Sequence, residues 1–131
     1  MNATKEKIYG HESDSRIMIK KDKLEIDNWT DDLEYINEEL EYLLDIEDRI
    51  LNNANLYQEL QTLHRENTLN LRTLYRYEGA VRDAIECDTV ECDVFYLSKH
   101  ERNRKLYLEH KKKYRNIKSK VLSNILLEAK H

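Results

Sequence analysis

Residues 88–127 decide the fold of this chain, and they read DTVECDVFYLSKHERNRKLYLEHKKKYRNIKSKVLSNILL. The stretch contains neither proline nor glycine. As one α-helix it would span about 60 Å, at 1.5 Å per residue. A helix of that length is not stable alone in water, so we expect the rest of the chain to pack along it.

The composition of the whole chain favours the same kind of structure. The 131 residues are the size of one ordinary domain, and they include no proline and two glycines, Gly10 and Gly79. A β-rich fold needs more turn residues than that. Charged residues make up 37% and hydrophobic residues 40%, a composition typical of long amphipathic helices. We therefore predict an all-α fold, an elongated antiparallel bundle of three long helices with coiled-coil-like packing.

The apolar spacing places these helices at about residues 27–52, 55–86 and 89–128. In the first helix, large apolar residues recur every three to four positions after the capping residues Asp27 and Asn28. Asn55 is the expected cap of the second helix. Residues 1–22 are mostly polar, so they are predicted to be a partly disordered tail, with 23–131 forming the bundle.

Two polar features interrupt the apolar seam. Glu47 stands where the first helix should carry an apolar residue, and residues 98–105 (SKHERNRK) are polar for two turns of the third helix. Folded on paper, Glu47, His64 and His110 reach similar levels of the bundle. One carboxylate and two imidazoles match zinc and iron ligand sets, which makes these three residues a candidate metal site. The alternatives are a hydrogen-bonded polar layer or side chains turned to the rim.

Charge is distributed unevenly along the chain. Residues 27–51 hold ten acids against one base, Arg49, whereas residues 99–120 hold ten bases against two acids. Short connections make the first and third helices parallel, and opposite charges favour their pairing. The basic residues 110–120, with Tyr114 for stacking, offer nucleic-acid binding as an alternative function. The internal counter-charge and the net charge of −4 argue against nucleic acid as a partner.

The two cysteines, Cys87 and Cys92, form the second candidate site. Their C-x4-C spacing is a weak zinc signal and differs from the C-x-x-C of thioredoxin-type redox pairs. Ordinary thiols, a redox-sensitive disulfide and a metal site all remain open. Two cysteines are too few for a secreted disulfide framework. With no apolar run of eighteen residues and no signal peptide at the start, we expect a cytoplasmic protein without membrane association.

The end of the third helix predicts self-association. Five large apolar residues fall within seven positions, and the predicted helix packing leaves them uncovered. The expected homodimer interface consists of Val121, Leu122, Ile125, Leu126 and Leu127. No catalytic triad order, P-loop or dinucleotide fingerprint is present. The sequence thus predicts a non-enzymatic structural or interaction module without a cofactor, with a second copy or another protein as its partner. A metal-binding or redox-responsive bundle is the runner-up.

Overall fold

Three long helices make up the fold. The computed structural model describes the backbone of residues 2–86 and 90–129, and the side chains of residues 18–83 and 97–129. The helices are α1 (Asn2–Ile46), α2 (Ala54–Glu86) and α3 (Val90–Ala129), and a π-helical turn over Glu47–Leu51 continues α1. The described residues include no strand, so the predicted all-α class is confirmed. No helix in this part of the chain is long and apolar enough to cross a membrane.

Helix α1 begins at Asn2, well before the predicted start at Asp27, and passes without a break through residues 22 and 23. The potential capping residue Asp27 lies inside the helix, where its carbonyl oxygen accepts a hydrogen bond from the Thr30 hydroxyl at 3.0 Å. Ile26 is fully buried and Ile19 packs against the core, so this part of α1 has an apolar side to bury. Tertiary packing outweighs the cap signal.

The turn between α1 and α2 is closed by one carboxylate and two asparagines. Asn52 adopts the left-handed conformation (φ 52°), which asparagine tolerates better than most residues. The Glu47 carboxylate accepts a hydrogen bond from the backbone N–H of Asn53. The Asn53 side chain then accepts one from the backbone N–H of Leu56 at 3.2 Å, so Asn53 caps α2 in place of the predicted Asn55.

The core is a single seam along the three helices. Its buried hydrophobic members are Ile26, Trp29, Leu33, Ile36, Leu40, Leu43, Leu56, Leu60, Leu63, Leu74, Tyr77, Val81, Tyr107, Tyr114 and Val121. Along α1 these residues recur at alternating steps of three and four, the spacing of coiled-coil packing, and along α2 the same steps run from Leu56 to Leu63 and from Leu74 to Val81. Burial of this seam is the main favourable contribution to folding.

Helices α1 and α3 are parallel and joined by a regular series of ion pairs. The salt bridges are Glu25–Arg104 at 2.6 Å, Asp32–Lys111 at 3.2 Å and Glu39–Lys118 at 2.5 Å. Both partners advance by seven residues from one pair to the next, the pattern expected between neighbouring parallel helices. We call these six residues the ladder. The pairing of an acidic first helix with a basic third helix is therefore present in the structure.

The ladder also corrects the predicted dimer interface. Because Glu39 lies level with Lys118, the rest of α1 and its π-helical turn extend along the end of α3. The sequence-based prediction had left the end of α3 uncovered. Val121 is fully buried in the chain's own core, so it is not available to a second copy, while Ile125 is half-buried against that core. Leu122, Leu126 and Leu127 stay exposed.

Candidate functional site

The predicted metal site of Glu47, His64 and His110 does not assemble. Glu47 is buried at the α1–α2 turn, where it binds the backbone of that turn. The nearest carboxylate oxygen to His64 Nε2 is that of Glu41, at 3.8 Å. His110 hydrogen-bonds Asn67 instead. The prediction considered only the height of the three residues along the bundle axis and not the direction of each side chain around its helix. His64 lies beside the seam positions Leu60 and Leu63 and turns to the rim.

The cysteine candidates are not tested. Cys87 lies outside the described residues, and although Cys92 belongs to α3, its side chain also lies outside them. A redox or metal role for this pair therefore stays a prediction.

His110 belongs to a buried polar layer that ties the three helices together. Asn67, which has no exposed surface, donates through Nδ2 to the carbonyl oxygen of Leu33 at 2.8 Å. Its Oδ1 is therefore the acceptor for His110 Nε2, also at 2.8 Å, and that nitrogen must carry a proton. We call Leu33, Asn67 and His110 the amide layer. All three residues are at most 3% exposed, so water does not compete for these bonds.

Electrostatics keep this layer uncharged. Burial lowers the pKa of the His110 imidazole below its usual value, because the imidazolium would lose its hydration. The negative charge of Glu66 raises the pKa of His110, whereas the positive charge of Lys113 lowers it further. The neutral Nε2–H tautomer is therefore the form that fits Asn67. A satisfied amide–imidazole pair of this kind favours one register of the helices over its neighbours.

A second buried histidine, His100, lies ten residues before His110 on α3, in a different environment. Its Nδ1 is 2.7 Å from the hydroxyl oxygen of Tyr77 on α2. Its Nε2 is 2.6 Å from Glu25 Oε1 and 3.4 Å from Asp22 Oδ1, both on α1. We call Asp22, Glu25, Tyr77 and His100 the carboxylate cluster. The imidazole is 2% exposed, while the two carboxylates lie nearer the surface.

Two further side chains hold this cluster in place. The Trp29 ring stacks on the His100 imidazole with centroids 5.0 Å apart and on the Tyr107 ring at 5.6 Å. Arg104 donates to both oxygens of Glu25, from Nη2 at 2.6 Å and from Nε at 3.2 Å. The Arg104 hydrogen bonds lower the pKa of the Glu25 carboxyl, and His100 adds to this effect against the opposing effect of burial. Glu25 is therefore held as a carboxylate.

Sequence reasoning missed this cluster because residues 98–105 contain no apolar residue. In the structure the seam continues through them: His100 and Asn103 are buried and follow the same alternating spacing as Tyr107, His110 and Tyr114. The polar stretch is thus a polar section of the core. Continuing the spacing from Tyr107 towards the N-terminus would have identified both residues.

Comparisons with known proteins found no relative. No protein-family model, no curated protein and no solved structure matches the chain. The function must therefore be argued from the surfaces and side-chain clusters of the molecule itself.

The outer surface beside the ladder is partly apolar. Tyr35 and Tyr42 follow the ladder residues Asp32 and Glu39 by three positions, while Leu108 and Leu122 follow Arg104 and Lys118 by four. Side chains at these spacings are neighbours on a helix, so all four flank the ladder. Their exposed fractions are 60%, 70%, 55% and 46%. We call this surface, with the ladder, the ladder face.

Charges without an internal partner adjoin the ladder face. On α1, Asp31, Glu38 and Asp45 are exposed at seven-residue intervals, and on α3 Lys105 and Lys112 are exposed at the same interval. None of the five forms an ion pair within the described part of the chain. The outside of α1 is thus acidic and the outside of α3 basic.

The internal ion pairs occupy much of the basic stretch proposed for nucleic acid. Within residues 110–120, Lys111 and Lys118 bind carboxylates of α1, and Lys113 and Lys120 bind Glu66 and Glu59 of α2 at 3.7 Å and 3.3 Å. These four cations are paired within the chain. Nucleic-acid binding through this stretch stays an alternative predicted from the sequence.

Proposed function

We propose that this protein is a non-enzymatic helical module that self-associates, with the ladder face of one copy packed on that of a second. The single observation that carries the proposal is the composition of this face: exposed Tyr35, Tyr42, Leu108 and Leu122 beside a ladder whose own charges are already paired. Exposed apolar groups clustered between satisfied charges are typical of interaction surfaces.

Charge complementarity selects a second copy as the occupant. A two-fold axis parallel to the helices places α1 of one copy over α3 of the other, twice. Asp31 and Glu38 of one chain then face Lys105 and Lys112 of its partner, while Asp45 lies beyond them along the helix axis. An antiparallel arrangement would instead bring acid to acid and base to base. Exposed ion pairs contribute only about 0–1 kcal/mol each, so the apolar residues supply most of the affinity and the charges choose the orientation.

A non-enzymatic role has support from the sequence, which carries no nucleophile motif or phosphate-binding loop. The proposal also retains part of the interface predicted from sequence, since Leu122 belongs to the ladder face.

The proposal is tested by sedimentation equilibrium at micromolar concentration. We expect the wild-type chain to form a dimer, and Leu108→Asp with Leu122→Asp to shift it at least tenfold towards monomer. Leu69→Asp is the matched control, because Leu69 is an equally exposed leucine (58%) of α2, away from the ladder. A monomeric wild-type chain, or a dimer that the control weakens as much as the double variant, would refute the proposal.

Charge exchange tests the orientation. Lys105→Glu with Lys112→Glu, and separately Asp31→Lys with Glu38→Lys, should each weaken the homodimer. An equimolar mixture of the two variants should restore dimerisation, because every acidic helix then faces a basic one in both contacts. A mixture no stronger than the separate variants would contradict the parallel two-fold arrangement.

A further inference from the structure

The carboxylate cluster has the donor geometry of a metal site. One carboxylate oxygen each of Asp22 and Glu25 and a ring nitrogen of His100 lie within 4.8 Å of one another. Within the described residues, this is the one group of three histidine, cysteine or acidic side chains that meets the criterion. Asp22 and Glu25 are three positions apart on α1, so consecutive turns of one helix direct both carboxylates at the same imidazole of α3.

The charges of the cluster favour a cation. A carboxylate can only accept hydrogen bonds, so the Nε2 atom that faces Glu25 and Asp22 must carry a proton. That single N–H lies 2.6 Å from one carboxylate and 3.4 Å from the other, and it cannot satisfy both. Two carboxylates this close repel each other unless positive charge lies between them. Arg104 neutralises Glu25, but Asp22 has no ion-pair partner other than His100 among the described residues.

The opposite side of the imidazole is prepared for ligation. A histidine that binds a metal through Nε2 keeps its proton on Nδ1 and normally donates it to an oxygen, which fixes the orientation of the ring. The Tyr77 hydroxyl oxygen lies 2.7 Å from Nδ1 and can accept that bond. Stacking on Trp29 holds the ring plane.

The distances suit a small transition-metal ion. The ligand atoms of tetrahedral zinc, with bonds of about 2.0–2.1 Å, lie about 3.3 Å apart. The separation of Asp22 Oδ1 from His100 Nε2 is already 3.4 Å. The Glu25 oxygen, at 2.6 Å, must withdraw by about 0.7 Å once the Nε2 proton has left. Its side chain is 34% exposed, which leaves room for that movement.

We propose that Asp22, Glu25 and His100 bind a divalent transition-metal ion, with Zn²⁺ as the type ligand, and that the ion clamps α1 to α3. The metal takes the place of the proton on Nε2, and the bound neutral imidazole carries its one proton on Nδ1, where it donates to the Tyr77 hydroxyl oxygen. Three protein ligands leave a fourth position for water. The proposed metal ligands and the proposed dimer interface have one residue in common, Glu25, which belongs to the ladder. The two proposals therefore succeed or fail separately.

Isothermal titration of the full chain with Zn²⁺ at pH 7 tests the site. We expect one equivalent per chain with a dissociation constant below about 100 µM. Asp22→Asn should weaken binding at least tenfold, and Tyr77→Phe, which removes the group that orients the ring, about tenfold. His64→Gln is the matched control, because His64 also lies close to a carboxylate but outside the cluster. Arg104→Gln should tighten zinc binding, because it removes the positive charge that competes with the metal for Glu25.

Trp29 provides a second readout, since it is the single tryptophan of the chain and stacks on His100. Co²⁺ in the cluster should quench its fluorescence saturably, and Zn²⁺ should reverse the quenching. The proposal is overturned if the wild-type chain shows no saturable site, if Asp22→Asn binds like wild type, or if His64→Gln loses binding to the same extent. Circular dichroism of each variant separates lost ligation from lost folding.

Discussion

The amide layer and the carboxylate cluster each surround a buried histidine of α3, yet they use it differently. At His110 the partner is the neutral amide of Asn67, and no member of the layer is more than 3% exposed. At His100 the partners on α1 are carboxylates that lie near the surface, and an arginine is needed to balance them. Depth explains the difference: a charge far from water must be neutralised, whereas a charge at the rim can keep part of its hydration.

Removal of the Asn67 amide should have the largest effect on stability. Asn67→Ala leaves the His110 N–H buried without an acceptor and adds a cavity, which together should lower the free energy of unfolding by about 3 kcal/mol. Urea denaturation measures the change. Asn70→Ala is the control, because Asn70 is a half-buried asparagine three positions further along α2, and we expect a loss below about 1 kcal/mol.

A double variant separates stability from specificity in the same layer. Asn67→Leu with His110→Leu removes both polar partners, so it should recover most of the stability lost in Asn67→Ala. Equal losses in Asn67→Ala and Asn70→Ala, or a double variant as unstable as Asn67→Ala, would show that the hydrogen bond to His110 is not what the layer depends on.

The carboxylate cluster should respond less to the loss of one polar group. Tyr77→Phe removes the hydroxyl beside His100 Nδ1, and the expected loss in unfolding free energy is about 1 kcal/mol in metal-free buffer. Tyr75→Phe is the matched control two residues earlier: the Tyr75 hydroxyl donates to Glu34 at the surface, which raises the pKa of the phenol to about 12. An exposed bond of this kind should be worth a few tenths of a kcal/mol. A larger loss of unfolding free energy in Tyr75→Phe than in Tyr77→Phe would contradict this prediction.

Lowering the pH should reduce the free energy of unfolding through the two sites in separate pH ranges. This is the smallest of the expected effects. The pKa of His110 is lower in the folded chain than its unfolded value of about 6.5, so the unfolded state binds more protons and stability falls as pH drops below about 6.5. The pKa of Glu25 is also lowered, from 4.5, so its contribution is present above pH 4.5 and is lost at lower pH.

Urea denaturation across pH 4–8 tests the two windows. His110→Gln keeps a donor for Asn67 but cannot titrate, so it should remove a stability loss that wild type shows as the pH falls below about 6.5. Glu25→Gln should change the profile only at lower pH. An unchanged upper slope in His110→Gln would mean that His110 is not the group that makes folding sensitive to mild acid.

The sequence was enough to predict the helical class, the bounds of α2 and α3 and the charge pairing of α1 with α3, although it missed the first 25 residues of α1. Absence of proline, scarcity of glycine and apolar spacing are local properties, and they predicted α2 and α3 to within one residue at each end. The excess of acid in residues 27–51 and of base in residues 99–120 likewise predicted the pairing of α1 with α3. These features need no knowledge of which side chain meets which.

Tertiary structure alone decided the partners of the buried polar groups. Spacing shows which side of a helix a residue occupies, but the axial offset between helices depends on the turn that joins them and on the ladder. The level-matched set of Glu47, His64 and His110 was wrong for this reason. Glu47 binds the backbone N–H of Asn53 at the turn, and His110 takes the amide of Asn67, because a buried polar group needs the nearest donor or acceptor of the right geometry. His100 meets Asp22 and Glu25 because α1 extends towards the N-terminus beyond its predicted start.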